Sequence, residues 1–389
     1  MENENVKGFN DISGVEALKR EEIKRIIVGT FKNYGFEPAE TPVVEYESFV
    51  KSSELGSDAI SDIFRLQDKG KRNLALRYEF TFQLKRLAKN KKLPYKRYQI
   101  GEVFRDEPVS SNRYRQFVQC DADIIGASAR DEAEILSLAS TILNKLGIKA
   151  TISINSRKLL NEILESEKIK DKEAVLREID KLDKLPEKEI ESSLKKYNAE
   201  KLIDLFKKPE SYFKKYRGYE DISELKKYCG YYGVEAKFQA NLARGLSYYN
   251  GAIFEIKTEI MKESIIGGGS YAINGINSVG IGFGLDRISK IAEVKLKEKR
   301  VIVVSIARDK EAINLAERLR QKGIAVAVIY KVTNALEYAN SLGMPYVIFA
   351  GEKEVKAGKF KIRDMKSGKE KMLSEGELLK ELETVSNQD

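Results

Sequence analysis

Alternation of apolar and polar positions is clearest between residues 101 and 126, GEVFRDEPVSSNRYRQFVQCDADIIG. Val103, Phe104 and residues 114–125 are apolar and β-branched enough to predict two antiparallel strands, joined by the turn-prone stretch from Pro108 to Asn112. Side chains of a strand repeat at period two, so Arg113, Arg115, Phe117, Gln119, Asp121 and Asp123 are expected on one face. Guanidinium, aromatic, amide and carboxylate groups in that order make a poor core. They make a suitable floor for a polyanionic nucleotide beside a polar small molecule, and the same alternation also describes a solvated sheet face.

A second pattern lies at residues 278–289, SVGIGFGLDRIS, a glycine-interrupted strand running into a helix with Arg287 in its first turns. Gly280, Gly282 and Gly284 lack side chains, which lets another group approach the backbone closely. Between these two patterns, residues 157–232 are charge-rich, and LLNEILESEKIKDKEAVLREIDKLDKL places apolar residues three and four apart, the period of helices. After a linker at residues 295–300 the chain changes character. VIVVSIA (301–307) is a buried-type parallel strand, followed by an amphipathic helix ending at Gly323. IAVAVIY (324–330), the helix ALEYANSLG and YVIFAG (346–351) continue the alternation. Residues 351–373 predict two short strands and residues 375–382 a closing helix. This is a small three-layer α/β domain with a parallel or mixed sheet.

A chain of 389 residues is long enough for two or three domains. The excess of 69 Lys+Arg over 60 Asp+Glu gives a formal charge of +9, which suits a polyanionic partner. No apolar run reaches membrane-spanning length and the polar start MENENVKGFND is no signal peptide, so a soluble, cytoplasmic protein without membrane partners is expected. Two cysteines cannot build a disulfide framework, and the absence of any histidine excludes His-dependent triads and leaves no His/Cys metal site.

The Arg105-Asp106-Glu107 hairpin resembles the second signature of class II aminoacyl-tRNA synthetases, and residues 278–289 resemble the third. Residues 34–49, YGFEPAETPVVEYESF, are similar to the first, a helix–strand element with a buried proline (Pro42) used for dimerisation. Within that class, LARGLSYYNGAIFE (242–255), IGGGSYAIN (266–274) and ALRYEFT (75–81) resemble the two histidine-binding signatures and the Leu-Arg-Pro-Glu-x-Thr loop of the histidyl-tRNA synthetase family. The resemblance runs nearly end to end. It implies an α+β catalytic domain built on an antiparallel sheet (residues 1–155 and 236–296), a helical insertion (156–235) and a three-layer α/β anticodon-binding domain (300–385). It further implies a homodimer that uses ATP with Mg2+, histidine and a histidine-accepting tRNA.

Activation of an amino acid is attack of its carboxylate on the α-phosphate of ATP. The nucleophile is already ionised, so the task is to align two anions and stabilise charge. Arginine suits this because its planar fork grips phosphate bidentately and stays protonated. The resemblance assigns Arg105 to the α-phosphate with Arg244 as the second catalytic arginine, and Glu107 to the adenine amino group. Phe117 would stack on adenine while Arg113 and Arg287 clamp the β- and γ-phosphates. Glu79, Thr81 and Gln119 are expected around the ammonium and carboxylate of histidine, Asp123 at its ring or ammonium, and Tyr248, Tyr249 and Tyr271 in its pocket. The chain departs from the family pattern at Ser247, Ser270 and Ala272, where charged residues are usual, at Tyr78 and Gly14, where proline is usual, and at Val118. These departures concern the support around the site, and they leave open an alternative, a non-catalytic paralogue acting as a regulatory or histidine-sensing subunit.

Overall fold

The computed structural model describes residues 4–51, 61–182, 185–243, 248–296, 300–330 and 335–384. Contacts divide the chain into two units, residues 1–11 with 20–294, and residues 12–19 with 295–389.

The first unit holds strands β1 (Glu37–Pro38), β2 (Val44–Tyr46), β3 (Arg65–Gln67), β4 (Asn73–Leu76), β5 (Tyr95–Phe104), β6 (Gln116–Ile125), β7 (Thr151–Ser156), β8 (Ala236–Phe238), β9 (Tyr249–Thr258), β10 (Met261–Ile273) and β11 (Ile276–Gly284). Eight of them form one sheet in the order β1-β5-β6-β11-β10-β9-β7-β8, antiparallel throughout its middle and parallel only at the edge pairs β1–β5 and β7–β8. Strands β2, β4 and β3 make a small antiparallel sheet of their own. The back of the large sheet is apolar because β6 turns Val118, Cys120, Ala122 and Ile124 that way. They pack with Ile23, Ile27 and Phe31 of one helix and with Leu136, Ala139 and Leu143 of the helix Ala129–Lys145. Spacings of three and four residues, i, i+4, i+8 in the first helix and i, i+3, i+7 in the second, make the stripe a helix needs to cover a sheet.

The predicted hairpin exists with different limits. Its first arm is the end of the ten-residue β5, and its second begins at Gln116 rather than Tyr114. Within the connecting segment an isolated bridge joins Ser110 and Arg113. Pro42 is exposed in the single chain, together with Val43, Val44 and Tyr46, because β2 turns only Glu45 inward. The described residues between 157 and 232 are mostly helical, and their buried Leu160, Leu176, Leu194, Phe213 and Leu225 join the cluster that contains Ile154 and Phe254 of the sheet.

The second unit holds β12 (Arg300–Ser305), β13 (Ala325–Ile329), β14 (Tyr346–Ala350), β15 (Phe360–Asp364) and β16 (Glu370–Leu373) in the order β13-β12-β14-β15-β16. The first three are parallel and the last two antiparallel, so the sheet is mixed. Val301 and Val303 face Leu315, Leu319 and Leu378, while Ile302 and Val304 face Ala335 and Ala339. Burial on both faces is why this strand is apolar without alternation. One helix was not foreseen in the segment assigned to two strands, Glu352–Ala357. It starts with Glu352 and Glu354, ends with Lys356, and stops at Gly358 with φ 60°, where a left-handed residue closes a helix.

Asn155 ties the loop after β8 to the sheet. It is fully buried, its Nδ2 donates to the carbonyls of Ala240 (2.9 Å) and Leu242 (3.0 Å), and its Oδ1 accepts from the Ser156 amide. Asn155→Ala leaves two buried carbonyls unpaired, and a loss of about 2 kcal/mol is expected in a urea titration, with far-ultraviolet circular dichroism unchanged.

Candidate active site

A pocket of about 510 Å³ opens over β6, β10 and β11. Phe117, Gln119, Asp121 and Asp123 of β6 line it, as period two requires. The register opposes Asp123 to Gly280 and Asp121 to Gly282 on β11. These glycines are spatial necessities. A Cβ on Gly280 would lie 2.1 Å from Asp123 Oδ1, and one on Gly282 would lie 2.8 Å from Asp121 Oδ1. The carboxylates occupy the volume that side chains would fill.

One end of the pocket is anionic. Glu79, Asp121 and Asp123 are buried beside Arg97, whose Nη2 reaches Asp123 Oδ2 at 2.9 Å and donates to the Phe80 carbonyl. The Tyr271 hydroxyl donates to Asp123 Oδ1, leaving its oxygen to accept from a ligand. Gln119 Nε2 donates to Asp121 Oδ2 at 2.9 Å, whereas Asp121 Oδ1 and Glu79 Oε1 have no hydrogen-bond partner among the described residues. Burial pushes Glu79 from its ordinary 4.5 up to about 7, opposed by Arg105 and reinforced by Asp123. Burial raises Asp121 and Asp123 as well, with Asp123 adding to the rise at Asp121 and Arg97 opposing it at both. Three carboxylates crowd around Arg97, and a cationic group entering this end would favour their ionised forms. Tyr248, its ring centroid 4.7 Å from that of Tyr249 and 5.6 Å from that of Tyr271, forms an aromatic wall beside it.

The other end is cationic. Arg105, Arg113 and Arg287 all line it. Arg287 donates to the carbonyls of Ser264 (3.0 Å) and Asn112 (3.3 Å), and burial, with Arg113 next, lowers its pKa. Arg113 pairs with Glu107 at 3.2 Å. The neighbouring Asp286 accepts from Arg20 (2.9 Å) and from the Val118 amide (3.1 Å), which fixes the helix Leu285–Ile291 against β6.

Glu79, Thr81, Arg105, Glu107, Arg113, Phe117, Gln119, Asp123, Tyr248, Tyr249, Tyr271 and Arg287 therefore share one pocket. Arg244 and Ser247 lie outside the described residues. Arg115 leaves the face expected of it. The strand has not begun at that position, and its guanidinium turns to Asp106 (3.1 Å) and the Glu107 carbonyl. Two participants went unassigned in the sequence. Asp121 was placed on the right face without a role, and Arg97 carried no local signal because its partner lies across the sheet on β6.

Both the sequence and the fold that carries this pocket have counterparts among known proteins. The family model of histidyl-tRNA synthetase matches residues 8–288 and that of the anticodon-binding domain matches residues 299–384. The chain belongs to the histidyl-tRNA synthetase family. Histidine–tRNA ligase 1 of Bacillus cereus is 34% identical over 95% of this chain and 95% of its own length. The histidine–tRNA ligase of Wolinella succinogenes is 35% identical, covering 94% of each. The crystal structure of histidyl-tRNA synthetase from Nostoc sp. PCC 7120 shares the fold with a TM-score of 0.84, at 22% identity and 99% coverage of both chains. As a synthetase of this family the chain uses ATP. No described helix is long and apolar enough to cross a membrane.

The excess carboxylates set a pH dependence. Because Glu79 holds its proton more tightly folded than unfolded, the folded state binds more protons between pH 4.5 and about 7, and stability falls as pH rises through that window. Glu79→Gln removes this term. At pH 8 without ligands the variant is expected to be more stable than the parent by about 1–3 kcal/mol, the gain shrinking towards pH 4.5. Thermal melts across pH check it.

Proposed function

We propose that the chain ligates histidine to its tRNA in two steps, through a histidyl-adenylate. The observation that carries this reading is the bipolar pocket, in which β6 lays an aromatic ring, an amide and carboxylates in line from an arginine cluster to a carboxylate end. ATP would lie at the arginine end, with Arg105 at the α-phosphate, Phe117 on the adenine face, Glu107 at the adenine amino group, and Arg113 and Arg287 at the outer phosphates. Magnesium would enter with ATP as part of the substrate and offset phosphate charge. Histidine would place its ammonium among Glu79, Thr81 and Gln119, with Asp121 nearby. Its ring would lie by Tyr248, Tyr249 and Tyr271, where Asp123 orients the Tyr271 hydroxyl.

An imidazole presents one donor and one acceptor, so a selective pocket needs a partner for each ring nitrogen. The oriented tyrosine oxygen supplies an acceptor. In the first step the histidine carboxylate attacks the α-phosphorus and pyrophosphate leaves. Arg105 and Arg244 would stabilise the charge building on the non-bridging oxygens. In the second step the terminal ribose hydroxyl of tRNA attacks the carbonyl carbon of the mixed anhydride, the bond to the phosphate breaks and AMP leaves, its phosphate taking the hydroxyl proton. The domains are assigned as catalytic (1–155 and 236–296), insertion (156–235) and anticodon-binding (300–385). A homodimer would cover the exposed row Pro42, Val43, Val44 and Tyr46, and the site of action would be the cytoplasm.

ATP–pyrophosphate exchange across the twenty amino acids, without tRNA, tests the reading. Exchange with histidine alone is expected. Exchange with another amino acid would move the chain to a different specificity, and none at all would be the behaviour of a histidine-sensing paralogue. Arg244→Ala is expected to slow exchange by about 10²–10³-fold, the effect of removing one transition-state donor, with an unchanged melting curve. A near-parental rate would overturn its assignment.

A further inference from the structure

Arg105 is held differently from the arginines beside it. Arg113 and Arg115 each pair with a carboxylate, at 3.2 and 3.1 Å. Among the described residues Arg105 has no carboxylate at ion-pair distance; its Nε donates to the Tyr78 carbonyl and its Nη2 to Gln119 Oε1, both at 3.3 Å. Its guanidinium carbon lies 4.4 Å from the Tyr78 ring centroid and 5.1 Å from that of Phe117. None of these partners carries a charge. An aromatic face attracts and orients a cation through its quadrupole without a close counter-charge, so the guanidinium is not tied up in an ion pair.

Tyr78 is itself fixed. Its ring is buried with Val50, Ile63, Ala75 and Phe82 in a small cluster apart from the main core. The backbone just before it is bolted to β5 and the preceding loop. The Arg77 amide donates to the Val43 carbonyl (2.9 Å), and the Arg77 carbonyl accepts from the Phe104 amide (3.0 Å). The Arg77 guanidinium spans the Glu102 and Thr41 carbonyls at 2.6 and 2.8 Å. The carbonyl that receives Arg105 Nε would be present with any residue at position 78, including the proline usual in the family. The ring would not.

We propose that Tyr78 is a positioning residue for Arg105, a rigid aromatic rest that aims its guanidinium at the α-phosphate. The proposal rests on the assignment of Arg105 to that phosphate. Tyr78 touches no substrate; it acts through Arg105.

The test measures adenylate formation by single turnover, at saturating histidine and varied ATP. It compares the parent protein, Tyr78→Phe, Tyr78→Leu, Arg105→Ala and the double variant Arg105→Ala/Tyr78→Leu, each with a melting curve. Leucine keeps apolar bulk in the cluster but has no π face, and Tyr78→Met replaces it if the leucine variant does not fold. Tyr78→Phe is expected within about twofold of the parent, while Tyr78→Leu lowers the rate about tenfold with histidine affinity unchanged. In the Arg105→Ala background the leucine substitution is expected to cost nothing more, because the interaction it removes is already gone. A parental rate for Tyr78→Leu, an equal loss in Tyr78→Phe, or the same loss repeated in the Arg105→Ala background would overturn the proposal. Arg105→Ala at the parental rate would instead remove the assignment of Arg105 and leave Tyr78 nothing to position.

Discussion

The pocket depends on the pairing of Asp123 with Arg97 in the middle of the large sheet. Among the described residues Arg97 is the largest fully buried side chain, and its guanidinium is the counter-charge beside the carboxylate of Asp123. Two more carboxylates, Glu79 and Asp121, stand around it. A buried ion pair contributes little net stability, and extra buried anions subtract from it. The cost is offset on the reverse of the same strand, where Val118, Cys120, Ala122 and Ile124 join the core. Each residue of β6 thus belongs either to what folds the domain or to what strains it.

That division also sets the order of the chemistry. Phe117 to Asp123 covers roughly 20 Å at the rise of an extended strand, enough to lie alongside a nucleotide and an amino acid joined end to end. The arginine end is kept open by different means at each residue: carbonyl acceptors for Arg287, a surface carboxylate for Arg113, aromatic faces for Arg105. Asp286 joins this end to the core by holding Arg20 and the Val118 amide at once.

Much of this was legible in the chain because it is periodic. Alternation along β6 predicted which side chains face the pocket, and the unbroken VIVV run predicted a strand covered on both sides. What was not legible is pairing between distant strands. Arg97 looks like any charged strand residue until the register sets it opposite Asp123. Tyr78 looks like a departure from a motif until the fold brings it under Arg105, whose contact with it spans 27 residues of sequence. Arg115 was misplaced because alternation was extended two residues before the strand begins. The helix Glu352–Ala357 was missed although its acidic start, basic end and closing glycine were present, since Lys-rich loops and short helices share those residues.

Gly280 and Gly282 have a consequence for how such a pocket can change. Because the carboxylates of Asp123 and Asp121 occupy the space above them, neither glycine can take a side chain unless the carboxylate opposite moves. Even alanine would force that shift, most severely at position 280. Evolution or design seeking another amino acid is therefore confined to the walls, the Tyr248–Tyr271 side and the Glu79–Thr81 loop, while the floor is inherited whole.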